Sequence, residues 1–363
     1  MSIENELKKE GIEVISKVDT LAVNSIAKNV ARRIYESFPE LSLDESVLFS
    51  KLAKLNMYKA KIPNGMAEAS YFYKNQSIYF NEHIDDEDLE EFAIHECIHY
   101  LQERLDRDGN IQRMGLCSYI NSKAFGLSLN EAAVQYTASY VIGIEPDFEK
   151  YYNITLYTPS PSYYPLECAL LNEILYFTGK DLLFKSTIYS TYDFKNQIIS
   201  LTCEDTYDIL QKSFDDLLEL EENVIKINNQ INSLPDGSSK YAKLSKKLDL
   251  AKQKVTDMFF GIQKLIIEDF FGYEFNKISN LEELEAFRNK LYKFSDIIGS
   301  TDGYDFFDSF YKETMNKLEH KYNILENGGV ETALAVASGN SPFSWIHKLL
   351  NFIFKKEHIY DNK

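Results

Sequence analysis

Apolar residues return along this chain at two different spacings, and the order of those spacings predicts its elements. From Thr20 to Ser37 and again from Leu43 to Leu55 they recur every three or four positions, which predicts two amphipathic helices. Met57 to Ile62 then predicts a strand. The aromatic runs Ala69 to Tyr73 and Ser77 to Phe80 flank Lys74-Asn75-Gln76 as the two arms of a β-hairpin would. Helical spacing resumes at Leu89, Phe92, Ile94, Cys97, Ile98, Leu101 and Leu105. The acidic residues Asp85 to Asp88 suit the positive end of that helix, so it is expected to start near Asp86 with Asp85 or Asp86 as its N-cap. Further helices are expected to Ile142, from the Gly126 region, and from Leu166 to Phe177. Together with the segment Lys180 to Ile199, these elements predict an α+β unit over residues 13–200.

Past residue 200 the pattern becomes helical throughout. Leu217, Leu220, Val224, Ile227, Ile231 and Leu234 form one stripe, and Tyr241, Leu244, Leu248, Ala251, Val255, Met258, Ile262 and Leu265 form another. Pro235-Asp236-Gly237-Ser238-Ser239 separates them as a turn. The first arm is acidic and the second is rich in lysine, so residues 217–265 are expected to fold back as an antiparallel helical hairpin within a mainly α-helical region, 201–325. The hairpin could cover the first unit or act as an arm for a protein partner. A small-residue linker is expected at 326–342, followed by an amphipathic helix at 343–357 carrying Phe343, Ile346, Leu349, Leu350 and Ile353. This tail is a candidate for docking on its own protein, on a partner or on a membrane surface.

Composition narrows the picture. With 363 residues, 44% of them hydrophobic, the chain can bury a sizeable core and form two domains. A net charge of −17 argues against a nucleic-acid surface, which lysine and arginine clusters would have to build. No secretory signal and no long apolar span is read from the sequence, so a cytoplasmic protein is expected. Cys97, Cys117, Cys168 and Cys203 form no Cys-x-x-Cys pair and read as reduced packing residues, although Cys97 lies inside the chemically richest stretch and could make activity sensitive to oxidation.

That stretch is His95-Glu96-Cys97-Ile98-His99. On a helix, residues four apart leave the same face, so both imidazoles can reach one metal ion while Glu96 is turned toward a metal-held water. Both histidines lie off the apolar stripe, where core packing does not require them. Three protein ligands would leave a fourth position for water, whose acidity zinc raises. No histidine lies between His99 and His320, and Leu105 stands where the metzincin pattern needs one. A carboxylate must therefore complete the set. Glu131 is the best placed, early in the helix that runs to Ile142, while Glu103, Glu145, Glu167 and Glu173 stay open. Ser128-x-x-Glu131 also fits a capping box, which would occupy Glu131 in closing its own helix.

Over residues 70–142 the chain resembles the gluzincin metallopeptidases, in which a motif helix supplies two histidines and a later helix a glutamate, often within an Asn-Glu pair such as Asn130-Glu131. The resemblance implies a zincin-like catalytic domain with a small mixed sheet. It implies one zinc per chain on His95, His99 and Glu131, Glu96 as general base, and hydrolysis of a peptide or protein substrate without a covalent intermediate. Many gluzincins place an aspartate four residues after the ligand glutamate. Here Gln135 occupies that place, and with Asn130 it is expected to lie just behind the ligands. A tyrosine or histidine should stabilise the oxyanion, but among 25 tyrosines none is singled out; Tyr119 and the tyrosines from Tyr151 to Tyr164, expected in a loop walling the cleft, are the nearest in sequence. Two other readings differ in class: a zinc-binding sensor or regulatory protein, and an interaction module built on the hairpin.

Overall fold

The computed structural model describes residues 3–9, 11–63, 68–120, 123–234, 239–298 and 306–326. Apart from Glu326, the expected linker lies outside these residues, as does the expected tail helix 343–357. The chain is α+β. It opens with α1 (Ile3–Lys9), β1 (Glu13–Lys17), α2 (Thr20–Ser37), α3 (Glu45–Leu52), β2 (Asn56–Lys61), β3 (Ala69–Phe72), β4 (Ser77–Asn81) and α4 (Leu89–Gln102). The four strands form a mixed sheet in the order β1-β2-β4-β3, with β2 and β4 parallel and the other pairs antiparallel. The aromatic hairpin pairs as its alternation predicts, Phe72 opposite Ser77 and Ala69 opposite Phe80.

Strand β4 is buried on both faces, and the period-two rule shows how. Ile78 and Phe80 face a core made with Ile26, Val30 and Ile34 of α2 and Ile94, Cys97 and Ile98 of α4, whereas Tyr79 faces the smaller cluster of Leu7, Ile12, Ala60 and Ile62. Helix α4 thus lies on a fixed floor, with its apolar stripe spent on the sheet.

Helix α4 starts at Leu89, later than the sequence suggests: Asp86 to Asp88 form a turn, and Asp88 occupies the N-cap position without a side-chain cap. It also ends earlier. Glu103 turns to an extended conformation, its carboxylate accepts the Tyr71 hydroxyl at 2.6 Å, and Arg104 donates to the carbonyls of Leu101 (3.0 Å) and Glu103 (2.7 Å). Leu105 therefore belongs to a strand and is half exposed, because helical spacing alone does not reveal where polar side chains divert the chain.

A four-stranded antiparallel meander follows: β5 (Glu103–Leu105), β6 (Ile111–Met114), β7 (Cys117–Ile120) and β8 (Lys123–Phe125). It leads into α5 (Leu127–Ile142), about two thirds of it buried. Small residues Ala132, Ala133 and Ala138 let α5 lie close to its neighbours. Next come β9 (Asp147–Tyr151) and β10 (Ile154–Thr158), a hairpin where a loop was expected; Tyr152 and Asn153 at its tip take positive φ, and the loop proper is shorter.

Helices α6 (Pro165–Thr178), α7 (Lys180–Tyr189), α8 (Asp193–Leu201), α9 (Glu204–Asn232), α10 (Ser239–Lys277), α11 (Leu281–Ile298) and α12 (Phe306–Glu326) complete the described residues. α9 and α10 form the antiparallel hairpin, longer than expected: Thr206 at the start of α9 donates to Asp269 near the end of α10 at 2.6 Å. One apolar core joins Leu129 and Ala133 of α5, Leu170 and Ile174 of α6, Phe194 of α8, Leu210, Phe214 and Leu217 of α9, and Val255 and Phe259 of α10, so no gap in packing marks residue 200. Among the described residues, no helix is long and apolar enough to cross a membrane.

Candidate metal centre

Helices α4 and α5 bring three donor atoms together. His95 Nε2 and His99 Nε2 are 3.0 Å apart, and each is 3.4 Å from Glu131 Oε2. Two atoms bound tetrahedrally to zinc at its usual ligand distance lie about 3.3 Å apart, so the donors already stand at the separation one ion would impose. Their chemistry fits as well: two imidazole nitrogens and a carboxylate oxygen, the composition of a three-ligand zinc site with one open position. Among the described residues this is the one group of three or more histidine, cysteine, aspartate or glutamate side chains gathered closely enough to hold an ion. Side-chain exposure of 15% for His95, 7% for His99 and 15% for Glu131 shows that the donors are sheltered yet reachable.

The electrostatics follow from this crowding. Burial by itself pushes the Glu131 carboxyl up, but His99 and His95 overcome it with their charge and hydrogen bonds and hold it below the ordinary carboxylate range. Conversely, burial lowers His99, and the adjacent Glu131 carboxylate more than reverses this, raising it to about 9. Positive charge is thus favoured at this point.

Behind the donors, Gln135 stands one helical turn beyond Glu131. Its Oε1 lies 2.9 Å from His95 Nδ1, while its Nε2 donates to the hydroxyls of Ser139 (3.2 Å) and Ser160 (3.0 Å). With Nδ1–H committed to the glutamine carbonyl, the lone pair of His95 is left on Nε2, toward the other donors. Asn130 has a different task from the one expected of it. Its Oδ1 accepts from Leu116 N at 2.9 Å and its Nδ2 donates to Gln102 Oε1 at 3.3 Å, tying α5 to the β6–β7 turn and to the end of α4. Gly115 makes that tie feasible: a Cβ there would fall 2.1 Å from Asn130 Oδ1 and 2.3 Å from Gln102 Nε2.

The rival carboxylates are engaged elsewhere. Glu103 holds the Tyr71 hydroxyl, Glu145 is exposed beyond α5, Glu167 is buried on α6 facing Glu221, and Glu173 accepts from Gln263 at 2.7 Å. Nor does Glu131 close a capping box. Ser128 Oγ is buried without a hydrogen-bond partner among the described residues, and the Glu131 carboxylate is turned to the histidines. Glu96 is buried on the same helix, and its charge acts on both His99 and Tyr164. Cys97 points the other way, into the sheet core, where burial pushes its thiol well up; it is packing, not an oxidation-sensitive neighbour of the donors.

Tyr164 is the site residue that sequence reasoning did not single out. Its ring stacks on His95 with centroids 6.3 Å apart, and it feels the charge of Glu131. The charge of Glu131, then burial, then the charge of Glu96 raise it far above the ordinary tyrosine range, so it keeps its proton. The available signal was the pair Tyr164-Pro165. Proline occupies the first turn of α6, and Tyr164 precedes it in the left-handed region at φ 49°, a conformation held by Ser160 Oγ donating to Tyr163 O at 2.6 Å and Thr158 Oγ1 donating to Pro165 O at 2.9 Å. Tyr119, on β7, senses the charge of Glu131 from farther off.

Comparison with protein-family models, with curated proteins and with solved structures finds no match to this chain.

Proposed function

We propose that the protein is a zinc-dependent peptidase of gluzincin type, built on a zincin-like catalytic unit, with His95, His99 and Glu131 as the ligands of one zinc ion. The convergence of those three donor atoms within 3.4 Å of one another, with Glu96 between the histidines, carries the reading. Zinc, when bound there, acidifies a water and polarises a carbonyl. Glu96 then accepts the proton of the attacking water and returns it to the leaving amine. The protonated Tyr164 hydroxyl supplies a hydrogen bond to the oxygen on which negative charge develops. Gln135 fixes the His95 tautomer. Strand β3 is the edge strand beside β4 among the described residues, and an edge strand suits an extended peptide held by main-chain hydrogen bonds.

Zinc analysis of purified wild type, His95→Ala and Glu131→Ala tests the ligand set, with Glu96→Gln assayed beside them on a peptide library. The expected result is about one zinc per chain in wild type, loss in both ligand variants, and retained zinc with turnover about 10²–10⁴ lower in Glu96→Gln. Wild type that takes up no zinc would refute the site. Wild type that holds zinc but cleaves nothing would favour the sensor reading over the peptidase.

A further inference from the structure

We infer that the C-terminal hairpin completes the metal centre: Gln211 and Asp215 of α9 grip the first turn of α5 and set the position of Glu131. This rests on the metal reading above and assigns α9 a part in it. Helix α5 has no cap of its own. Its N-cap position is Gly126, at φ 76°, and Ser128 leaves its hydroxyl unpaired. The acceptor comes from far along the chain. Asp215 Oδ2 accepts from Gly126 N at 3.0 Å and Asp215 Oδ1 from Ser128 N at 2.8 Å, while Gln211 Nε2 donates to Phe125 O at 3.4 Å.

Gln211 and Asp215 lie four apart on one face of α9, so a single helix surface holds three successive points of the β8–α5 turn. Approach is close enough that a Cβ on Gly126 would meet Gln211 Nε2 at 2.2 Å. Leu210, Phe214 and Leu217 bury the adjoining face of α9 in the shared core, so the grip itself is anchored.

An ionised carboxylate at a helix start satisfies orphan amides and complements the helix dipole. Here it has a further effect. A capping box would have used Glu131 itself; with Asp215 in that role, the Glu131 side chain is released to face His95 and His99. Ser128 and Glu131 are one turn apart, about 4.5 Å along the axis, so movement of the capped turn is transmitted directly to the ligand. Docking of the hairpin and binding of the ion are therefore linked, and each strengthens the other by the same factor.

Zinc titration of full-length protein against a competing chelator tests this, with the folded state of each variant checked by circular dichroism. Asp215→Ala is expected to weaken zinc binding about tenfold, and Asp215→Asn, which keeps an acceptor for one amide, about threefold. Asp216→Asn, altering the neighbour that pairs with Lys212 on the surface, should leave affinity unchanged. Cobalt substituted for zinc should show an altered visible spectrum in Asp215→Ala, a change that general loss of stability does not produce. If Asp215→Ala does not fold, Asp215→Asn and Gln211→Ala carry the test. Folded variants that bind zinc like a zinc-binding wild type would overturn the positioning role alone. A wild type that binds no zinc would overturn the metal reading and this inference with it.

Discussion

Glu131 and Glu173 sit on adjoining helices, both withdrawn from solvent, and their carboxyl groups are driven in opposite directions. Glu131 is held ionised by two imidazoles. Glu173 meets the Gln263 amide at 2.7 Å, its second oxygen has no hydrogen-bond partner among the described residues, and burial raises it to about 8. Glu167, facing Glu221, is raised by burial as well. The contrast shows that burial alone does not make a ligand. A carboxyl among apolar helices keeps its proton and bonds helix to helix, whereas the same group opposite two imidazoles stays charged and available to a metal.

The comparison breaks most visibly on the Glu173 side. Folded protein holds that proton up to about pH 8, while the unfolded chain releases it near 4.5, so stability falls as pH rises through this window. Glu173→Gln should remove this contribution and make the protein more stable at pH 9 by about 5 kcal/mol, with little gain at pH 4.5. Urea unfolding at the two pH values measures it; identical pH slopes in variant and wild type would contradict the assignment. On the Glu131 side, Tyr164→Phe removes a hydroxyl but no ligand. Turnover should drop about a hundredfold with zinc content unchanged, and full activity in that variant would exclude Tyr164 as the oxyanion donor. The smallest effect belongs to Gln135→Ala, which deprives His95 Nδ1 of its acceptor and should weaken zinc binding about tenfold by chelator competition. An unchanged affinity would leave Gln135 without a role at the ligands.

What the sequence disclosed divides along similar lines. His95, Glu96 and His99 are legible because one helical turn relates them, and Gln135 only through the family resemblance, which expects a polar residue at that place. The strands β2, β3 and β4 were legible through their alternation, and the hairpin arms through their stripes. The meander β5 to β8 was not, since three- and four-residue strands carry too few positions for a period, and the apolar stripe ran on into Leu105. Tyr164 was hidden because its role depends on a left-handed turn and a ring laid against His95. Asp215 gives no sign of its role in the sequence. Its partners, Gly126 and Ser128, are distant in sequence and offer backbone amides, which leave no trace in residue identity.

The inward aim of Cys97 bears on the conditions under which such a site can operate. Of the four thiols, those of Cys97, Cys117 and Cys168 are buried, and the exposed one, Cys203, lies at the foot of α9. Oxidants and soft metal ions arriving from solvent thus meet a thiol at the base of the hairpin while the histidine helix presents them only nitrogen and oxygen.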